Sequence, residues 1–214
     1  MTTKPLTSHP QVPLSREEEI LVESTRTFAQ NGFRATDVQV IADTLGIGKG
    51  TIYRAFPTKQ ELFLACADRA MKSLQDSIQE ASTNLDDPIE RVKSAIRAYF
   101  RFFDQNPELI ELIIQERSEF KDRNKPTYFE YRDRSVQPWI VLFTGLIAER
   151  QARPLGPEKI AEFIGQQLYG KLFVHYFNKS AGSLAEEADE VIDFLFYGFM
   201  SKKESSDKAD EHVR

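Results

Sequence analysis

Apolar side chains recur along most of the chain at spacings of three and four residues, which is the period of an amphipathic α-helix. No run of β-branched residues alternates with polar ones between turn signals, so the pattern predicts no strands. We therefore predict an all-α protein of about nine helices, near residues 15–31, 37–45, 48–56, 59–82, 88–105, 107–120, 127–150, 157–179 and 184–199, with Pro138 kinking or splitting the seventh.

The helix starts carry recognisable cap signals. In a capping box, a Ser or Thr and a Glu or Gln three residues later bond each other's backbone N–H groups. This spacing occurs at Ser15 and Glu18, Thr36 and Gln39, Thr58 and Glu61, and Ser183 and Glu186. A proline takes the first position of three further helices, at Pro88, Pro107 and Pro157.

The segment TDVQVIADTLGIGKGTIYRAF, residues 36–56, contains two short helical patterns separated by a glycine turn. Gly46 stands where a left-handed backbone commonly ends a helix. Two helices that cross steeply need a small side chain at their contact, and Ala42 provides one. The layout of helix, tight turn and helix is that of a helix-turn-helix. Its apolar positions are Val38, Ile41, Ala42 and Leu45 in the first helix and Ile52, Ala55 and Phe56 in the second.

The charge of the whole chain gives no reason to expect a nucleic-acid partner, because the formal net charge is −5. The local distribution is different. Between Thr44 and Gln60 there are three basic residues, Lys49, Arg54 and Lys59, and no acidic residue. Positive charge gathered on one face is the footprint of a nucleic-acid contact.

Three motifs fall together in residues 20–64. They are F-A-x-x-G-F from Phe28 to Phe33, I-A-x-x-x-G-I from Ile41 to Ile47, and K-G-T-I-Y-x-x-F-x-x-K from Lys49 to Lys59. With these motifs the segment resembles the N-terminal domain of the TetR family of bacterial regulators. The rest of the chain resembles the family only in being helical and of suitable length.

The resemblance implies that residues 48–56 form the recognition helix that enters the major groove of DNA. The residues then expected to contact bases or phosphates are Thr36, Lys49, Gly50, Thr51, Tyr53, Arg54 and Lys59. Helix N-termini attract phosphates, which agrees with these roles. The alternatives are that Tyr53 is a core aromatic and that Arg54 and Lys59 are ordinary solvated side chains.

The remainder of the chain is expected to form a ligand-binding and dimerisation body. Helices near 157–199 are apolar on nearly all sides and so need cover on all sides. A second copy would provide it, and the expected interface residues are Phe163, Gln167, Leu195 and Phe199. A pocket lined mainly by apolar groups is implied by the resemblance, with candidate residues Phe103, Trp139, Phe143, Tyr169 and Phe173. For both sets the alternative is ordinary packing inside one chain.

The expected domain organisation follows from these assignments. Residues 15–58 form the DNA-binding helix-turn-helix domain, and residues 59–200 form the ligand-binding and dimerisation domain. Residues 1–14 and 201–214 lack apolar periodicity and are expected to be flexible tails.

Several function classes lack support in the sequence. No secretory signal is read at the start, no apolar stretch is long enough for a membrane span, and a single cysteine, Cys66, favours a reducing, cytoplasmic setting. No Cys or His spacing suggests a metal, and no cluster of catalytic residues or cofactor motif stands out, so we do not predict an enzyme.

We therefore expect a ligand-responsive transcriptional regulator that works as a repressor. It would bind a near-palindromic double-stranded DNA operator as a homodimer, with recognition helices entering successive major grooves. An apolar or aromatic small molecule is the expected inducer. The alternative is a helical small-molecule-binding or adaptor protein without a DNA function.

Overall fold

The computed structural model describes residues 14–178 and 182–198, and in these residues the chain forms ten α-helices and no strand. They are α1 (Arg16–Asn31), α2 (Val38–Thr44), α3 (Lys49–Ala55), α4 (Lys59–Thr83), α5 (Pro88–Gln105), α6 (Glu108–Glu119), α7 (Thr127–Ser135), α8 (Gln137–Ala148), α9 (Pro157–Asn178) and α10 (Glu187–Tyr197). The predicted all-α fold is confirmed. The tenth helix arises because the segment near Pro138 is split, with α7 ending at Ser135 and the proline in the first turn of α8.

Two of the predicted capping boxes differ from the structure. Thr58 and Glu61 form the complete box at the start of α4, and the Ser15 hydroxyl accepts the Glu18 N–H at the start of α1. The prediction for Thr36 is wrong, because Asp37 caps α2 by accepting the Gln39 N–H. An Asp in this position makes the same bond as a Thr would, so the spacing alone could not separate the two.

The predicted helix start at Ser183 is also wrong, since α10 begins at Glu187. The Ser183 hydroxyl instead donates to the Asp104 carboxylate, and Leu184 N–H donates to the same carboxylate. The turn before α10 is thereby fixed to the end of α5. The local half of the predicted box remains, because the Glu186 carboxylate accepts the Ser183 N–H at 3.3 Å, whereas the Ser183 hydroxyl is engaged with Asp104 and the Ala185 N–H.

The buried apolar residues form two clusters. The N-terminal cluster joins α1, α2 and α3 to the first two turns of α4, and it consists of Ile20, Phe28, Val38, Ile41, Ala42, Ile52, Leu62, Phe63, Cys66 and Leu112. The larger cluster is built mainly from α4, α5, α6 and the helices that follow them. The N-terminal core therefore extends across the domain boundary expected at Thr58 and Lys59.

Helices α4 and α6 contribute to both clusters. Leu62 and Phe63 of α4 lie in the N-terminal cluster, whereas Met71 and Leu74 lie in the larger one. On α6, Leu112 belongs to the N-terminal cluster while its neighbours on the helix pack into the larger one. Because packed interiors transmit displacement, these two helices connect the helix-turn-helix mechanically to the body.

Polar contacts reinforce the connection between α1 and α6. The Gln115 side-chain amide donates to the Phe28 carbonyl at 3.0 Å in a buried setting. Arg34, in the turn between α1 and α2, lies 2.7 Å from the Glu119 carboxylate. Across the described part of the chain, no helix is both long enough and apolar enough to cross a membrane.

Candidate DNA-binding surface and apolar cleft

A glycine turn sets the angle between α2 and α3. Gly46 has a φ of +63°, a left-handed conformation that side chains rarely adopt, and its N–H donates to the Asp43 carbonyl. Ile47 N–H donates to the Ala42 carbonyl at 3.0 Å, so the chain reverses tightly before Gly48 caps α3. Ala42 is fully buried, which fits the need for a small side chain where the helices cross.

Helix α3 has one buried face and one open face. Ile52 is fully buried in the N-terminal cluster and anchors the helix. Gly50, Tyr53 and Arg54 are exposed, and Thr51 is half-buried. Tyr53 is 37% exposed, so it is not a core aromatic. The open face therefore presents a phenol, a guanidinium and bare backbone to solvent.

Lys49 forms an ion pair at the start of α3. Its Nζ lies 2.8 Å from Oδ1 of Asp37 and 5.9 Å from the centroid of the Tyr53 ring. The N–H of Gln39 and the Lys49 ammonium both hold the pKa of Asp37 below its ordinary value. The sequence window from Thr44 to Gln60 contained no acid, but the fold brings one to its basic face. Asp is strongly preferred at helix N-caps, so the sequence could have placed Asp37 at the start of α2, beside the basic face.

Lys59 is directed inward toward the turn between α1 and α2. Its Nζ donates to the carbonyls of Thr36 at 3.0 Å and Arg34 at 3.2 Å. It also lies 4.8 Å from the centroid of the Phe33 ring, a cation–π distance. The ammonium group therefore braces the turn with two of its three hydrogens, and its contact with a DNA phosphate stays a prediction.

Thr36 is buried, which contradicts its expected role as a phosphate ligand. Its hydroxyl donates to the Gly32 carbonyl at 2.7 Å, and its N–H donates to the same carbonyl at 3.1 Å. Both groups that were expected to meet a phosphate are thus used inside the protein. The physical reason is that the turn after α1 needs donors for its carbonyl groups, and Thr36 supplies them.

A cleft opens in the body between α4, α5, α7, α8 and α9. It encloses about 860 Å³ including the open space at its mouth. Its walls are mainly apolar, with contributions from Leu74, Ile78, Val92, Ile96, Ile164 and Leu168. A concave, mostly apolar space with few polar groups is the usual form of a small-molecule site.

The structure places two of the five candidate pocket residues in this cleft. Trp139 and Phe143, both on α8, line it. Phe103 is fully buried in the larger cluster. Tyr169 and Phe173 pack against each other at 4.5 Å between ring centroids, outside the lining. The sequence spacing identified a region rich in aromatic residues, but only the packing in the structure shows which of them line the cleft and which lie in the core.

The polar side chains that line the cleft come from α4, α5 and α7. The hydroxyl oxygens of Tyr99 and Tyr128 are 2.9 Å apart and buried. Burial raises the pKa of Tyr128 to about 12 and the pKa of Tyr99 well above its ordinary value. Arg132 and Gln75 also line the cleft, and the Gln75 amide donates to the Tyr131 carbonyl. Sequence analysis did not identify the tyrosine pair, because its members are 29 residues apart on different helices.

Helices α9 and α10 expose large apolar side chains. The exposed aromatic side chains are Phe163 at 54%, Phe177 at 64%, Phe194 at 56% and Tyr197 at 70%, and Val174 is 56% exposed. Of the expected interface residues, Phe163 and Gln167 are exposed, whereas Leu195 is half-buried against the larger cluster. Phe199 lies outside the described residues. Exposed apolar surface of this extent marks an interaction site.

Comparison with known proteins agrees with this geometry. The family model described as bacterial regulatory proteins of the tetR family matches residues 20–66, which contain the helix-turn-helix. The transcriptional activator FasR of Mycolicibacterium smegmatis is 28% identical over 100 residues, which cover 47% of this chain and 46% of FasR. The transcriptional repressor KstR2 of the same species is 24% identical over 146 residues, which cover 68% of this chain and 71% of KstR2.

Solved structures share the fold over most of the chain. The regulator FadR from Bacillus subtilis, in complex with stearoyl-CoA, superposes with a TM-score of 0.73 at 17% identity, covering 85% of this chain and 98% of FadR. The shared fold includes both the N-terminal helix-turn-helix and the helical body. The match over residues 20–66 assigns the N-terminal segment to the tetR family of bacterial regulatory proteins, and the solved structure of FadR shows that the rest of the described chain shares the fold of such a protein.

Proposed function

We propose that the protein binds operator DNA through the open face of α3. The observation that carries this proposal is the division of α3 into a face anchored by the fully buried Ile52 and a face that presents Tyr53 and Arg54. We assign base and phosphate contacts to Lys49, Gly50, Thr51, Tyr53 and Arg54, and we assign Lys59 to support of the α1–α2 turn. Thr36 is omitted because its donors are used internally.

The proposal also assigns separate roles to two parts of the chain. Residues 15–58 carry the DNA contacts, and residues 59–200 carry effector binding and dimerisation. The exposed apolar faces of α9 and α10 support a two-fold dimer through Phe163, Gln167 and Leu195. Such a dimer would place its recognition helices about 34–36 Å apart on a near-palindromic site.

The effector is an apolar or aromatic molecule held in the cleft. FadR, which shares the fold, was solved with stearoyl-CoA, and this makes acyl-CoA thioesters the first class to test. Since α4 contributes to the cleft and to the N-terminal core, occupancy of the cleft can change the position of α3. Effector and DNA would then weaken each other's binding by the same factor.

The direction of regulation that we propose is repression. KstR2, which is named a repressor, aligns over a larger share of both chains than FasR, which is named an activator. A repressor that leaves its operator when the cleft is filled needs no contact with the transcription machinery. Release from the operator is therefore the simplest way in which a dimer with coupled effector and DNA sites can regulate transcription.

DNA binding is tested by selecting genomic fragments with the purified protein at two salt concentrations. A Lys49→Ala/Arg54→Ala variant removes two charges from the open face of α3. The matched control is Arg101→Ala/Lys159→Ala, which removes two exposed charges from α5 and α9. If each protomer loses two phosphate contacts, the bound dimer loses four, and the slope of log K against log salt should fall in magnitude by about 3.6 for the first variant alone.

The alternative of an adaptor without DNA function predicts a different result. A folded dimer that selects no fragment at low salt would contradict operator binding. Equal effects of the two double variants would contradict the assignment to α3. Effector binding is read separately, because Trp139 is the single tryptophan of the chain and lines the cleft. Its fluorescence should change with stearoyl-CoA or shorter acyl-CoA in the absence of DNA.

A further inference from the structure

The buried tyrosine pair in the cleft has one hydroxyl hydrogen that the bond between the two hydroxyls does not use. Tyr99 and Tyr128 both line the cleft, and they are 4% and 6% exposed. Their hydroxyl oxygens lie 2.9 Å apart, so one hydroxyl donates to the other. Each phenol carries one hydrogen, and a single bond between them uses only one of the two.

The second hydrogen lacks an acceptor among the residues that the structure describes, where each hydroxyl has the other as its hydrogen-bond partner. Burial keeps both phenols protonated, since it raises the pKa of each. Buried donors are nearly always bonded in folded proteins. A spare buried donor in the wall of an apolar cleft therefore indicates that its acceptor arrives with the ligand.

Charge near the pair favours the same kind of ligand. Arg132 lines the cleft on the same helix as Tyr128, one helical turn away. Its guanidinium also pairs with the exposed Asp133 at 3.2 Å, and the part of its charge that reaches the Tyr128 hydroxyl favours an electron-rich group there. No carboxylate is among the residues that line the described cleft. An oxygen that accepts a hydrogen bond is therefore favoured here over a group that donates one.

We infer that the effector is a mainly apolar molecule that carries an oxygen acceptor, either a carbonyl or a carboxylate, and that the Tyr99–Tyr128 pair donates its spare phenolic hydrogen to that oxygen. The inference rests on the proposed effector role of the cleft. The expected effector is then an apolar compound with a hydrogen-bond acceptor that reaches the tyrosine pair. The pair thereby becomes a determinant of effector specificity.

Three probes that share a phenethyl group test the inference. 4-Phenylbutan-2-one has a neutral carbonyl, 3-phenylpropanoate has a carboxylate, and butylbenzene has neither. Each is titrated against the full-length dimer, with Trp139 fluorescence as the readout. One donated hydrogen bond is expected to make the ketone bind about tenfold more tightly than butylbenzene. The carboxylate arm shows whether Arg132 and the pair together favour an anion.

The variant Tyr99→Phe/Tyr128→Phe removes both hydroxyl groups and keeps both rings. Replacing both partners of a buried bond by apolar groups of the same shape is nearly neutral for stability. The advantage of the ketone over butylbenzene should disappear in this variant. Tyr169→Phe is the matched control, because its ring lies 5.1 Å from that of Tyr128 but outside the cleft lining. It should keep the advantage.

The outcomes separate the inference from the proposed function. If none of the three probes changes Trp139 fluorescence, the cleft does not bind apolar molecules of this class, and both fail. If the probes bind but the wild-type protein does not distinguish the ketone or the acid from butylbenzene, the inference alone is overturned. The same holds if the double phenylalanine variant keeps the full preference.

Discussion

Asp37 and Lys49 form an ion pair at the entrance to the helix-turn-helix surface, with the Lys49 Nζ 2.8 Å from Oδ1 of Asp37. The same oxygen accepts the Gln39 N–H and so caps α2. Asp37 therefore has two roles that can be separated. As a cap it stabilises α2, and as a charge it competes with phosphate for the lysine.

We predict that Asp37→Asn increases affinity for random-sequence DNA. Asn caps a helix nearly as well as Asp, so α2 should be retained. Loss of this exposed negative charge should raise affinity by about threefold at low salt and by less at high salt. Fluorescence anisotropy with a labelled duplex at several salt concentrations measures this.

Asp43→Asn is the control for that experiment. Asp43 is an exposed acid on the same helix, and its partner is Gln39, not a lysine. It should change affinity less than Asp37→Asn. Equal changes in both variants would mean that only net charge matters and that the pairing with Lys49 has no effect.

We predict that Lys59 contributes to the thermal stability of the protein and that Lys49 does not. In Lys59→Met the apolar stem can still cover Phe33, but the bonds to the carbonyls of Arg34 and Thr36 are lost. One partly exposed charged donor is worth about 1 kcal/mol, which corresponds to a fall of about 2–4 °C in Tm for a chain of this size. Thermal unfolding followed by circular dichroism measures the difference.

The matched variant for Lys59 is Lys49→Met. It should leave Tm within about 1 °C, because surface ion pairs contribute little to stability, and it should weaken DNA binding. The assignment of Lys59 as a brace would be wrong if both variants unfolded at the wild-type temperature.

Glu116 anchors the start of α7 from inside the body. Its carboxylate is 2% exposed, accepts both the N–H and the hydroxyl of Thr127, and lies 3.3 Å from Arg123. In Glu116→Gln the amide oxygen can still accept the Thr127 donors, and Arg123 keeps its contact with Glu130 at 3.2 Å, but the bonds lose the help of the buried negative charge. We expect a loss of about 1.5 kcal/mol in the free energy of unfolding, measured by urea denaturation.

Glu119→Gln is the comparison for Glu116. Its partner Arg34 has a side chain that is 82% exposed, so the loss in the free energy of unfolding should be clearly smaller than that of Glu116→Gln. A similar loss for both glutamates would show that burial does not determine the strength of these contacts.

The exposed apolar face of α9 should control the oligomeric state. Phe163→Glu places a charge in the middle of the proposed interface, where it would be buried without a partner. We expect a shift from dimer to monomer at micromolar concentration, measured by sedimentation velocity. Leu85→Glu, at a 37% exposed position between α4 and α5, is the control and should remain dimeric. A dimeric Phe163→Glu would remove this face from the interface.

The sequence predicted what depends on neighbouring residues. The start of α4 at Thr58, the turn at Gly46 and the break at Pro138 each follow from residues within one or two turns. The fold class and the family follow from the same local patterns. These features are determined by local backbone geometry, which the residues of a short segment specify on their own.

Tertiary contacts account for the differences. Lys59 contacts carbonyls more than twenty residues away, and Asp37 reaches Lys49 across the glycine turn. The pairing of Tyr99 with Tyr128 depends on how α5 and α7 pack. No periodic pattern encodes such distances, so the same residue types could be assigned to solvent, core or site with equal reason.

Helix α4 has 25 residues and runs without interruption from the N-terminal cluster to the cleft. The α4 residues that line the cleft lie between Met71 and Ile78, about 18–28 Å along the helix from Lys59, so a tilt of about 5° at the cleft displaces the first turn by about 2 Å. In the proposed function the helix would therefore act as a lever, and side-chain adjustments too small to open the body could still move α3 by a good part of a base-pair step. Sensitivity to a small ligand would then come from the length of one helix, and a soft or broken α4 would disconnect effector binding from DNA binding even with both sites intact.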